Sequence, residues 1–120
     1  MPRFTTKRAY DPPLPLDGLR VLVDRLWPRG LAKADARVDL WLKEIAPSDE
    51  LRRWFGHQPE RWQVFRERYS VELSAAPAAL QQLRAAVAGH EAVTLLFAAR
   101  DTGHNNAVAL KAFLESKPSA

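Results

Sequence analysis

Val21-Leu22-Val23-Asp24-Arg25-Leu26-Trp27-Pro28-Arg29-Gly30 and Val93-Thr94-Leu95-Leu96-Phe97-Ala98-Ala99-Arg100-Asp101-Thr102-Gly103-His104-Asn105-Asn106 decide how this chain folds. Each is an apolar run that ends abruptly in acid, arginine and a glycine turn. A strand buried on both faces reads this way where its carboxyl end leaves the core. Ligands bind at that edge in open α/β sheets. The two strings therefore place polar side chains where a site is expected, without naming a reaction.

Around these two strings the chain alternates strands with helices. Arg3 to Ala9 is predicted as a strand, since Phe4-Thr5-Thr6 favours β structure. Residues 11–18 hold three prolines in eight positions and form a stiff connector. Leu19 to Leu26 is the first secure strand and Trp27-Pro28-Arg29-Gly30 a turn. The spacing of Val38, Trp41, Leu42 and Ile45 predicts a helix with one apolar stripe. Pro47-Ser48 stops it, and Ser48 caps a second helix that buries Leu51, Trp54 and Phe55 and ends at Gly56. Pro59 starts a longer helix with Trp62, Phe65, Tyr69 and Leu73 inward. Pro77 opens another around Leu80, Leu83 and Val87, closed by Gly89. Ala92 to Ala99 is the second secure strand, and the last helix runs from about Asn105 to Leu114. The tail from Ser116 to Ala120 is expected to fray. The sum is a single α/β domain over residues 1–120, with a small, mostly parallel sheet of three or so strands and about five helices. Some 65 residues separate the two secure strands, so they need not be neighbours in the sheet.

The 120 residues carry 18 bases against 14 acids and are 47% hydrophobic. Thirteen of the bases are arginine, which forks onto phosphate or carboxylate and tilts the partner toward something anionic. No basic tail singles out nucleic acid. Zero cysteines exclude disulfides, thiolate metal sites and cysteine nucleophiles. The three histidines have no metal-ligand spacing, so no metal and no cofactor are expected. There is no run of about 18 apolar residues to cross a membrane, and Met1-Pro2-Arg3-Phe4-Thr5-Thr6-Lys7-Arg8 is basic but lacks the apolar core of a secretory signal. The expected location is the cytoplasm. Oligomeric state has no signature.

The turn after Phe97 is the richest in chemistry. Arg100 offers a guanidinium fork, His104 a proton carrier near neutral pH, and Asn105 an amide ahead of a helix start. In the plainer reading Asp101 or Asn105 caps that helix, His104 is solvated, and Arg100 pairs with Asp101. Asp24 ends a buried strand and needs a partner, with Arg25, Arg29 and Arg100 the nearest arginines expected. If chemistry occurs, Asp24 or Asp101 is the base, His104 the acid or relay, and Arg25, Arg29 and Arg100 stabilise charge. Trp27, Gly30, His57 and Asn105 complete the expected binding set. Trp27 either roofs a pocket or plugs the sheet edge; His57 either faces the site or stacks on a tryptophan.

Several strings carry a resemblance: Arg8-Ala9-Tyr10-Asp11-Pro12, Arg20 to Gly30, Trp41-Leu42-Lys43-Glu44, Ala46-Pro47-Ser48, Trp54-Phe55-Gly56-His57, and Leu95 to Asp101 with His104-Asn105. Together they resemble the YeaO-like family, the short branch of a bacterial domain-of-unknown-function family, over about Phe4 to Leu114. The resemblance implies a small cytosolic bacterial α/β protein and implies no activity. Phe97 stands where that family more often has tyrosine, which marks the position as packing. Thr102-Gly103 replaces a more acidic pair. Longer relatives have a Cys-His-Arg motif at the second strand end; His104 takes the histidine's place and the cysteine is absent, so thiol chemistry does not carry over. Three functions follow in order: a site for an anionic small molecule, nucleotide or other phosphate; a nucleic-acid-binding or regulatory module; or a structural interaction protein.

Overall fold

The computed structural model describes residues 2–116. Four parallel strands form one sheet in the order β1-β4-β2-β3. They are β1 (Arg3–Arg8), β2 (Leu19–Leu22), β3 (Leu40–Trp41) and β4 (Ala92–Phe97). The helices are α1 (Lys33–Ala36), α2 (Asp49–Phe55), α3 (Trp62–Ser74), α4 (Pro77–Val87) and α5 (Asn106–Ser116). Of the tail expected to fray, Ser116 closes α5 and the remainder lies outside the described residues.

β4 occupies the centre, and its burial explains its composition. Val93, Leu95 and Phe97 face the helical layer, where they join Val21, Phe65, Tyr69, Leu83 and Leu110. Leu96 points the other way, toward Ala9 and Leu22. Two covered faces call for a near-continuous apolar run rather than alternation, and the one polar residue, Thr94, donates its hydroxyl to the Asp17 carbonyl at 2.7 Å. β2 is β4's direct neighbour, with Leu22 paired to Leu96, although residues 23–91 separate them in the chain. That adjacency brings both polar strand ends to the same edge.

The second face is covered by irregular chain. Trp27, Leu31, Val38 and Trp41 pack there, with the Trp27 and Trp41 rings edge to face at 5.5 Å between centroids. The Trp27 indole N–H donates to the Leu31 carbonyl at 2.7 Å. At the amino end of the sheet, Asp17 accepts from Lys7, from Arg20 and from the Leu14 N–H, which pins the proline-rich connector. Burial pushes the Asp17 carboxyl up, but these donors together hold it below the ordinary aspartate value.

Besides the single turn α1, which the sequence does not announce, two elements differ from the sequence expectation. The helix expected through Val38 and Ile45 is instead the short strand β3 followed by a single 3₁₀ turn, Lys43–Ile45. Its stripe splits across the sheet: Val38 and Trp41 lie on one face, Leu42 and Ile45 on the other. The free edge of β2 decides this. The Asp39 N–H donates to the Arg20 carbonyl at 2.9 Å and the Leu42 N–H to that of Leu22 at 3.0 Å, while the Asp39 carboxylate accepts from the Arg20 N–H. An unpaired strand edge outbids a short local stripe. The strand expected through Leu26 ends at Leu22, and Leu26 is 67% exposed. After the Val23 N–H meets the Leu96 carbonyl, the Asp24 side chain takes over the next strand contact and the chain turns away.

Candidate functional site

A cleft of about 840 Å³ opens at the carboxyl ends of β1, β2 and β4. Tyr10 enters it just after β1, Asp24 to Arg29 after β2, and Ala98 to Asp101 with His104 to Asn106 after β4. α2 supplies the remaining wall through Arg52, Arg53, Phe55 and the following His57. Of the residues singled out from sequence, Asp24, Arg25, Trp27, Arg29, His57, Arg100, Asp101, His104 and Asn105 all line this cleft. Gly30 does not; it supplies the left-handed backbone of the turn beyond Arg29, at φ 74°.

Asp24 sits on the floor, where three elements meet. One carboxylate oxygen accepts from the Ala98 N–H at 2.9 Å, and the other from the Asn106 side-chain amide at 3.0 Å. That amide also donates to the Val23 carbonyl, and the Trp41 indole N–H to the Asp24 carbonyl. The arginine partner expected from sequence is thus replaced by neutral donors. Burial raises the Asp24 carboxyl above its ordinary value, opposed by the Asn106 and Ala98 hydrogen bonds and by the more distant Arg52 charge.

Asp101 has the opposite environment. One oxygen accepts from the backbone N–H groups of Gly103 and His104, at 2.9 and 3.0 Å, and the other lies 3.0 Å from His104 Nδ1. The Gly103 N–H and the His104 side chain hold its carboxyl below the ordinary value. His104 in turn stands edge-on to Trp62, with 5.3 Å between ring centroids. Asn105 is buried and caps α5: its side-chain oxygen accepts from the Val108 N–H and its amide donates to the Asp101 carbonyl. This is the plainer reading of that residue, and it orients the turn rather than leaving a free amide.

The cationic wall is only partly neutralised. Arg25 and Arg52 share Asp49 at 3.8 and 3.6 Å, too far for good hydrogen bonds. Among the described residues, the guanidinium groups of Arg29, Arg53 and Arg100 form no ion pair, so Arg100 is not spent on Asp101. The Arg29 carbonyl accepts from the Tyr10 hydroxyl at 2.7 Å, fixing the rim loop to β1. Five arginines and two histidines thus face two carboxylates whose oxygens already carry hydrogen bonds. Such a surface favours an anion.

Tyr10, Arg52, Arg53 and Asn106 belong to the cleft but not to the set expected from sequence. Arg52 and Arg53 lie off the apolar stripe of α2, which marks them only as exposed. Asn106 carried a legible signal: two successive amides ahead of a helix, one of which must cap while the other is free to reach elsewhere.

A family model described as the inactive DUF488-N3 subclade matches residues 3–120. An uncharacterized protein of Mycobacterium tuberculosis is 44% identical over 115 residues, covering 96% of each chain. The uncharacterized protein YeaO of Escherichia coli is 44% identical over 110 residues, covering 92% of this chain and 95% of its own. No solved structure matches.

Proposed function

The chain belongs to the YeaO-like proteins of the inactive DUF488-N3 subclade, and from that premise we propose that it binds an anionic small molecule, a nucleotide or other phosphate, in the cleft at the strand ends, without turning it over. The observation that carries this reading is the uncompensated charge of Arg29, Arg53 and Arg100 around one cleft. Its volume of about 840 Å³ suits a small-molecule ligand, for which sites of roughly 300–1,000 Å³ are usual. The subclade's description as inactive supports binding over catalysis. So does the chemistry of the two acids. Asp24 is tied into the floor by two hydrogen bonds, and Asp101, held ionised by its own turn, is a weak base. The protein acts in the cytoplasm in this reading.

A thermal-shift screen of nucleotides, sugar phosphates, simple anions and oligonucleotides tests it. A ligand present at 100 times its dissociation constant is expected to add roughly 2.7 kcal/mol of stability, with the shift shrinking as salt rises. Silence across every anion contradicts the reading. A response to oligonucleotides alone, falling steeply with salt, replaces it with nucleic-acid binding.

A further inference from the structure

The cleft, at about 840 Å³, is far larger than an inorganic anion needs, and its lining is not all charged. The same cleft is also lined by Leu26, Pro28, Pro47, Phe65 and Ala98, which offer a phosphate ion nothing. A ligand that fills this space has an apolar body joined to its anionic end.

Two further features say what that body carries. Asp24 is an acceptor set among apolar residues. Each of its oxygens takes one hydrogen bond from the protein, whereas an ionised carboxylate has about four acceptor sites. The remaining capacity on the cleft side suits a hydroxyl or amino donor and repels a second anion. Tyr10, at the rim, is 38% exposed yet fixed: its hydroxyl is bound to the Arg29 carbonyl, and the Arg8 guanidinium lies 4.9 Å from the ring centroid. Arg8 is itself held by the Ala98 and Ala99 carbonyls beyond β4. A tyrosine immobilised in this way is a surface on which a flat ring can stack at little entropic cost.

We propose that the cleft is built for a nucleoside monophosphate, with the phosphate on Arg29, Arg53 and Arg100, a sugar hydroxyl on Asp24, and the base along Tyr10. This assignment rests on the anion-site reading above. It differs from that reading in requiring all three parts of the ligand at once.

Calorimetric titration of the wild-type chain separates the two. The probes are inorganic phosphate, ribose 5-phosphate, adenosine and uridine 5′-monophosphates, and their 2′,3′-dideoxy forms. At least one nucleoside monophosphate is expected to bind about 10-fold or more tighter than inorganic phosphate and than ribose 5-phosphate, the latter through base stacking. Its dideoxy form is expected to lose about 10-fold, the usual effect of removing a hydrogen bond to a charged group. Equal affinity for phosphate and every nucleotide overturns the ligand class while leaving the anion site standing. Equal affinity for ribose 5-phosphate and the nucleotides overturns the role of Tyr10, and with it the nucleoside assignment. Dideoxy forms that bind undiminished overturn the role of Asp24 in the same way. If no probe binds, the anion-site reading falls and takes this proposal with it.

Discussion

Phe65→Ala is expected to lose about 3–5 kcal/mol of unfolding free energy in a denaturant titration, the usual range for deleting a large buried aromatic side chain. Phe65 is 2% exposed and stands at the centre of a ring cluster. Its centroid lies 4.5 Å from that of Phe55, 5.7 Å from Trp62 and 5.8 Å from Tyr69. It joins α2, α3 and the cleft wall, so its removal leaves a void that none of these rings can fill without leaving its own contacts. Trp62→Ala is expected to cost less, because Trp62 is half-buried and packs at the margin of the same cluster. A loss under about 1 kcal/mol for Phe65→Ala contradicts this account of the helical layer.

Asp24→Ala is expected to lose about 3 kcal/mol, for a reason the sequence does not disclose. Deletion strands the Ala98 N–H and half-frees the Asn106 amide, and an orphaned buried donor costs about 1–3 kcal/mol. The pH dependence identifies the mechanism. Burial raises the Asp24 carboxyl above the ordinary 3.8 in the folded protein, so the native state binds that proton more readily than the unfolded chain. Stability contributed by this group therefore rises as pH falls from the raised value to about 3.8. Asp24→Asn does not titrate. The wild type should accordingly gain stability relative to Asp24→Asn as pH falls through that window. An arginine partner would produce the opposite slope. Asp101 works in that opposite sense: its lowered carboxyl stabilises the fold above the ordinary value and loses that contribution as pH falls.

β4 was legible because burial on both faces demands a near-continuous apolar run, broken here only by Thr94, and α3 because its aromatic residues recur at steps of three and four. The stripe from Val38 to Ile45 misled because the edge of β2, supplied by residues 19–22, competes for the same backbone. The abrupt change from apolar to charged at Asp24 and Arg100 located the cleft. Its third wall was hidden, since nothing local says that the outward face of α2, carrying Arg52 and Arg53, turns toward the strand ends. Asp24's partners were hidden for a related reason. Asn106 lies 82 residues away, and its approach depends on β2 and β4 being neighbours.

Arg100→Ala distinguishes arginines that serve a ligand at the strand ends from arginines that serve the fold. Arg100 is exposed and free of any ion pair among the described residues, so its removal should lower unliganded stability by about 1 kcal/mol or less, as for other surface charges. The same variant should abolish the thermal shift that the wild type shows with its best anionic ligand. If Arg100→Ala instead destabilises the free protein as much as Asp24→Ala while the anion response is absent from the wild type, the cluster is architectural and the binding account is wrong.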